Sequence, residues 1–217
     1  MFMIFSKGGP VMYPLLACSV IAVSVVIDRV IFWMKQSLQR RPLLVDEVIE
    51  LYGRRDWDAI RQQTAGSKDY VVNVLISGIL HRKYSMVKAM ESAAAEEIKR
   101  MRRFMGVLDT MITVAPLLGI FGTVIGIISS FEILGSAGIE HPETVTAGIA
   151  QALITTAAGL GIAILSVFPY NYFNSRVENA AQTIERYATS LELVSERQVL
   201  KVKKIRSKQH ENPAAVE

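Results

Sequence analysis

Three stretches of this 217-residue chain contain no Asp, Glu, Lys, Arg or His: 11–27, 110–131 and 144–175. Crossing the roughly 30 Å hydrocarbon core of a bilayer takes about 20 mainly apolar residues. The second and third stretches exceed that length, and the first falls at the short end of the workable range. Charge is scarce overall, at 20% of residues against about 25% in ordinary soluble domains. The chain is therefore read as an integral membrane protein, which excludes a soluble enzyme, a disordered regulator and a secreted disulfide scaffold. Its single cysteine, Cys18, cannot form a disulfide within the chain.

The basic residues orient the spans. One, Lys7, precedes Val11; fifteen lie from Arg29 to Arg103; none lies between Glu132 and Glu143; eight run from Arg176 to Lys208. Basic segments stay on the cytoplasmic side, a rule that is strongest for short loops and tails. The short acidic loop and the basic tail agree, and give three transmembrane helices with the N-terminus outside and the C-terminus inside. Leu15-Leu16-Ala17-Cys18 resembles a lipoprotein cleavage box. However, the apolar run continues nine residues past Cys18, and its positive flank follows rather than precedes it. The first span is expected to be retained, with Arg29 snorkelling and Trp33 at its cytoplasmic interface.

The resulting organisation is a periplasmic N-terminus (1–10), a first span (11–33), a cytoplasmic helical domain (34–108) and a second span (109–134). A periplasmic loop (135–143), a third span (144–175) and a cytoplasmic helical extension with its tail (176–217) follow. Residues 70–76 form an apolar run that can be read as helix or strand. From Ser85 good helix formers continue without a glycine until Gly106, so 85–134 is expected to be one helix entering the second span unbroken. The third span continues likewise through Val177, Ala181, Ile184, Ala188, Leu191 and Val194. The expectation is an all-α membrane protein whose second and third helices extend far into the cytoplasm.

At 100° per residue, Ala115, Gly119, Gly122, Gly126 and Ser130 share one side of the second span with Thr123. Gly148, Ala152, Thr155, Thr156, Gly159, Ala163 and Ser166 do the same in the third. Small faces let helices approach closely in lipid, so helix packing is the reading for the glycines and alanines. The hydroxyls admit two readings. Each can bond back to a carbonyl of its own helix and do nothing more. Alternatively Thr123, Thr155, Thr156, Ser130 and Gln151 line a cavity and relay protons or solvate an ion. Proton pathways usually include an ionisable group near mid-depth, and neither span supplies one. That group must then come from another chain. Asp28, Asp109 and Glu132 are read as helix-end charges.

Little else suggests chemistry. His141 beside Glu140 lacks the convergent ligands of a zinc site, and His81 and His210 have no better company. No phosphate-binding glycine loop and no nucleophile with a base at motif spacing is present, so neither a catalytic residue, a metal nor a cofactor is expected. The run Arg197, Lys201, Lys203, Lys204, Arg206, Lys208 suits anionic lipid or an acidic partner rather than nucleic acid.

Residues 115–127 (APLLGIFGTVIGI), and 152–160 (ALITTAAGL) with Tyr170 and Asn171 following, resemble the MotA/TolQ/ExbB proton-channel family, and within it ExbB and TolQ. The span order, the large first cytoplasmic segment and the short outer loop are similar too. The resemblance implies a homopentamer in the bacterial inner membrane around the spans of a single-span ExbD/TolR-like partner, whose aspartate takes up protons. It also implies that Thr123 of the GTV motif and Thr156 of the TAxGL motif face that aspartate. Proton flow would drive mechanical work on the envelope through a TonB-like or TolA-like protein. Two positions depart from the family pattern: Gln151 stands where a glutamate is typical, and Leu165 where a proline is common, with Pro169 one turn later. An ion-driven motor subunit should lose work when Thr123 or Thr156 becomes valine. A packing scaffold should tolerate that change and fail on Gly122→Leu.

Overall fold

The computed structural model describes residues 8–137 and 142–211, with side chains placed for 8–132, 134, 135 and 146–200. Outside the described residues lie positions 1–7, the outer-loop residues 138–141 with Glu140 and His141, and the end of the tail from 212. The side chains of the basic run beyond Leu200, and of His210, are likewise outside them. Among the described residues the structure is all-helical: α1 Met12–Leu38, α2 Pro42–Arg54, α3 Trp57–Thr64, α4 Tyr70–Leu80, α5 Met86–Met101, α6 Met105–Ala137 and α7 Pro142–Glu211. α1, α6 and α7 are each long and apolar enough to cross a membrane. The run after Asp69, ambiguous in sequence, is helix α4.

The expected continuous helix over 85–134 is interrupted. Residues 102–104 form a turn, and Phe104 adopts the left-handed φ of 62°, a conformation that costs a bulky side chain free energy. The turn is held by backbone bonds from Met105 N–H to the Arg102 carbonyl at 3.0 Å and from Val107 N–H to the Phe104 carbonyl at 3.1 Å. The Arg103 guanidinium lies 4.6 Å from the Phe104 ring centre, and that of Arg29 lies 5.9 Å from it. By contrast α7 is continuous over 70 residues, including Pro169.

The chain divides into two compact units. The first comprises residues 1–32 and 102–175. Here α1, α6 and α7 pack through two apolar clusters. In one, Val11, Met12, Leu15 and Ala115 are joined by Leu118, Ile125, Ala158 and Ile162. In the other, Ala22, Val25 and Leu108 meet Val26, Met111 and Tyr170. Rising numbers in α1 meet falling numbers in α6 and rising numbers in α7, so α6 is antiparallel to both. The remaining faces stay apolar and exposed, with Val20, Val23, Phe121, Phe131, Ile164 and Phe168 all more than half exposed. Helices whose outward faces are apolar, with every backbone group satisfied internally, suit a lipid environment.

The second unit comprises residues 33–101 and 176–217. Pro42 opens α2 at a position where its missing N–H costs nothing, and the Asp56 carboxylate caps α3 by accepting from Ala59 N–H at 3.0 Å. The core includes Val45, Val48, Val71, Val74, Leu75 and Leu191, all fully buried. α2 docks on α7 through polar contacts. Tyr52 donates to the Ser195 hydroxyl at 3.0 Å, and Gln198 donates to the Tyr52 carbonyl at 2.8 Å.

Asp69 is the organising polar residue of this unit. Its carboxylate is fully buried and accepts from Val71 N–H at 2.9 Å, Arg41 N–H at 2.6 Å and the Arg40 guanidinium at 2.6 Å. One group therefore caps α4 and ties it to the chain end of α1. Asp69→Ala removes the cap, worth about 1 kcal/mol, and strands a partly buried arginine, for which losses of about 3 kcal/mol are typical. Thermal unfolding of the detergent-solubilised chain should show a fall of several degrees for Asp69→Ala and a smaller one for Asp69→Asn, which keeps the cap. Unchanged melting of both variants would show that this node is dispensable.

Candidate functional site

The small-residue faces of α6 and α7 meet each other within the first unit. A Cβ added at Gly119 would lie 3.0 Å from the Thr155 carbonyl oxygen and 3.0 Å from the Thr156 Cα. One at Gly126 would lie 3.0 Å from the Ala152 Cβ. A Cβ at Gly159 would run into the Ala115 carbonyl oxygen, and one at Gly148 into the Ser130 hydroxyl. Backbone thus approaches backbone along most of the contact. Ala115, Ala152 and Ala163 are buried beside these positions. This is the close approach that small faces permit in lipid, where hydrophobicity gives helices no drive to associate.

The hydroxyls divide into two groups. Thr155 is 1% exposed; its hydroxyl donates to the Ala152 carbonyl at 2.7 Å and points at the Gly119 carbonyl at 3.5 Å. Its side chain fills the space left by Gly122, whose added Cβ would come within 2.7 Å of the Thr155 Cβ. Ser130 is 2% exposed and donates back to the Gly126 carbonyl at 2.8 Å. Ser166 does the same toward the Ile162 carbonyl at 2.7 Å. These three hydroxyls are consumed by packing and by their own helices.

Thr156 and Thr123 sit at the margin of the contact and are half-buried. The Thr156 hydroxyl crosses between helices and donates to the Gly119 carbonyl at 3.0 Å. The Thr123 hydroxyl donates to the Ile120 carbonyl of its own helix at 2.5 Å. Thr123 lies one turn beyond Gly119 on α6. A hydroxyl has one proton to donate and two acceptor lone pairs, so each oxygen, with its proton committed to a carbonyl, is poised to accept. Two half-exposed acceptors on a face with no ionisable neighbour can receive a proton donor supplied from outside the chain.

Gln151 does not join them. It is half-buried, and a Cβ on Gly9 would strike its amide nitrogen. Gly9 itself has φ +70°, where any side chain is strained. The Gln151 side chain therefore faces the segment leading into α1. Asp28 lies within that helix, ten residues before its end, and pairs with Arg29 at 2.6 Å. Among the described residues no group of acidic, His or Cys side chains is arranged to hold a metal ion.

Sequence reasoning missed two features. Arg29, expected to snorkel, is 3% exposed, with its guanidinium 4.7 Å from the Phe32 ring centre and 5.9 Å from that of Phe104. No local pattern signals the latter contact, because Phe104 comes from 75 positions away. The second is the Gly119 carbonyl as a common target of α7 hydroxyls; only the close approach of the two helices, which the glycine pattern implied, could have suggested it.

Comparison with known proteins agrees with the motifs. The sequence profile of the MotA/TolQ/ExbB proton channel family matches residues 68–186, more than half of the chain. Biopolymer transport protein ExbB-like 3 of Synechocystis sp. is 34% identical over 197 residues, covering 88% of this chain and 92% of its own length. TolQ of the Tol-Pal system of Pseudomonas aeruginosa is 31% identical over 147 residues, 68% of this chain and 59% of its own. Biopolymer transport protein ExbB of Xanthomonas campestris is 30% identical over 112 residues, 52% of this chain and 44% of its own.

Proposed function

Because the chain belongs to the MotA/TolQ/ExbB proton channel family, we propose that it is the channel subunit of an ExbB–ExbD or TolQ–TolR type complex of the bacterial inner membrane. In this reading five copies, oriented N-terminus out, surround the spans of a single-span ExbD/TolR-like partner that brings the titrating aspartate. The proton motive force is converted into work on the envelope through a TonB-like protein, or through a TolA-like one in a TolQ-type role. The observation that carries the reading is the pair of half-buried hydroxyls, Thr123 and Thr156, on spans without any ionisable mid-depth side chain. Both oxygens are set to accept, so a protonated carboxyl facing them finds partners for its proton. A hydrogen bond to the neutral form of an acid favours that form. The two threonines would thereby help load the partner's aspartate, and a transmembrane potential adds about 2.3 kcal/mol per charge per 100 mV to drive discharge. Gln151 cannot titrate, so it does not carry a proton by changing its own charge.

Native mass spectrometry of the tagged complex from its own host, in mild detergent and in lipid discs, tests the composition. Five copies with a small single-span companion are expected. A specific observation favours a second reading, a non-conducting scaffold: Thr155, Ser130 and most of the small face are used up by contacts within one chain. A complex lacking any companion would support that reading instead.

A further inference from the structure

In the second unit, one face of the end of α1 and one face of α7 meet the start of α4 around a cleft of about 260 Å³. The α1 residues Trp33, Gln36 and Arg40 and the α7 residues Arg176, Asn179 and Thr183 follow the spacing of neighbours on a helix surface. Tyr70, the first residue of α4, closes one side. Two guanidinium groups are held against the aromatic walls. Arg40 lies 4.6 Å from the Tyr70 ring centre, and Arg176 lies 5.3 Å from that of Trp33.

The cleft contains a polar group whose needs the protein does not meet. Gln36 is 3% exposed. Its side-chain oxygen accepts from Arg100 at 3.1 Å, but its amide nitrogen is buried with no hydrogen-bond partner. Leaving a buried donor unsatisfied is costly, and native structures rarely do so without reason. Asn179, Thr183 and the Tyr70 hydroxyl add further donors along the same walls. Burial pushes the Tyr70 phenol above its ordinary value, opposed by Arg40, reinforced by Asp69 and opposed again by Arg176, so the hydroxyl keeps its proton.

We infer that this cleft binds an anionic phosphate group, with the Gln36 amide nitrogen and the Arg176 guanidinium as its principal donors. A small site lined with donors, with the Arg176 guanidinium on its wall and Arg40 held by Asp69, suits a tetrahedral oxyanion, and arginine is the side chain best matched to phosphate geometry. Its volume lies below the range typical of drug-sized ligands. Position along the chain indicates the source. Arg176 is the first residue after the charge-free stretch 144–175, and Trp33 lies six residues past the charge-free stretch 11–27. Residues at such positions lie at headgroup depth, where tryptophan concentrates and anionic lipid attracts basic side chains. The same donors would serve a soluble phosphate, and the experiment separates the two.

The full chain, exchanged into detergent, is titrated with phosphatidylglycerol and, separately, with inorganic phosphate, and bound adducts are counted by native mass spectrometry. Arg176→Gln and Gln36→Met, each checked for wild-type helicity and melting, are compared with wild type. A phosphatidylglycerol adduct in wild type, weakened about tenfold or more in both variants, establishes the lipid headgroup as ligand. Protection from heat by inorganic phosphate, lost in both variants and without a preferential lipid adduct, establishes the soluble anion. Equal binding by wild type and both variants overturns the site, as does binding of neither probe. A measurement that needs no cleft variant covers the case in which these fail to fold. In a Trp57→Phe background, Trp33 is the only tryptophan left, and its fluorescence should respond saturably to one of the two probes. No response to either overturns the proposal.

Discussion

Thr156→Val is expected to cut proton flux through the assembled complex by about tenfold to a hundredfold while leaving assembly intact. The substitution keeps the branched shape and deletes only the hydroxyl. Within the helix pair it loses the bond to the Gly119 carbonyl at 3.0 Å. Interhelical hydrogen bonds in membranes average about 0.6 kcal/mol, too little to separate helices that also share a glycine-lined backbone contact. Toward a partner's carboxyl the loss is larger. An acid desolvated in the channel without its hydrogen-bond acceptor suffers about 1–3 kcal/mol, and each 1.36 kcal/mol on a barrier is tenfold in rate. Thr123→Val should act in the same direction. Thr155→Val separates the roles, because that hydroxyl is sealed within the contact and its loss should leave flux within about threefold of wild type. Flux is read by a pH dye inside vesicles, and assembly by native mass spectrometry of the same preparation. Wild-type flux in Thr156→Val would remove this residue from the pathway and favour the scaffold reading.

Gly159→Leu should instead abolish assembly. Even the Cβ of alanine would meet the Ala115 carbonyl oxygen and approach the Gly119 Cα to 3.1 Å. Both obstacles are backbone, which cannot rotate away as a side-chain tip can. Overpacking a fitted contact costs about 1–3 kcal/mol and occasionally more; here the added bulk also pushes away Gly119, whose carbonyl receives the α7 hydroxyls. Gly122→Leu, whose added side chain meets the Thr155 side chain, should fail for the same reason but less completely. By contrast Gly161, around which no atom lies within 4 Å of an added Cβ, should tolerate alanine. Size-exclusion profiles and accumulation in the membrane report the outcome. A Gly159→Leu variant that assembles normally would show that α6 and α7 do not rely on this contact.

Absence of charge located α1, α6 and α7, because lipid tolerates few polar groups and the signal is long. Placing residues at 100° intervals found the small faces, because close packing needs small side chains at every turn. The same pattern could not say which hydroxyl stays accessible. Thr155 and Thr156 are adjacent in sequence, yet 100° of rotation buries one and leaves the other at the margin, and only the partner helix decides which. Nor could it foresee the turn at 102–104. Arg102, Arg103 and Phe104 include neither glycine nor proline, and the left-handed Phe104 is accompanied by stacking from Arg29 far away in sequence. Asp69 was hidden in the same way. As an N-cap it is an ordinary sequence signal, but its role as acceptor for Arg40 and Arg41 depends on a chain reversal that no local window contains. The contact of Gln151 with the segment at Gly9 joins positions 142 residues apart.

If this chain forms the channel of a proton-driven complex, protons must cross the wild-type assembly down an imposed potential. The complex purified from its own host is sealed into vesicles holding a pH-sensitive dye, and a potassium gradient with valinomycin imposes a potential, negative inside. Acidification faster than in empty vesicles is expected, rising with the potential and slowed by Thr123→Val and Thr156→Val. An intact complex whose vesicles acidify no faster than empty ones, at any potential, would contradict the channel role.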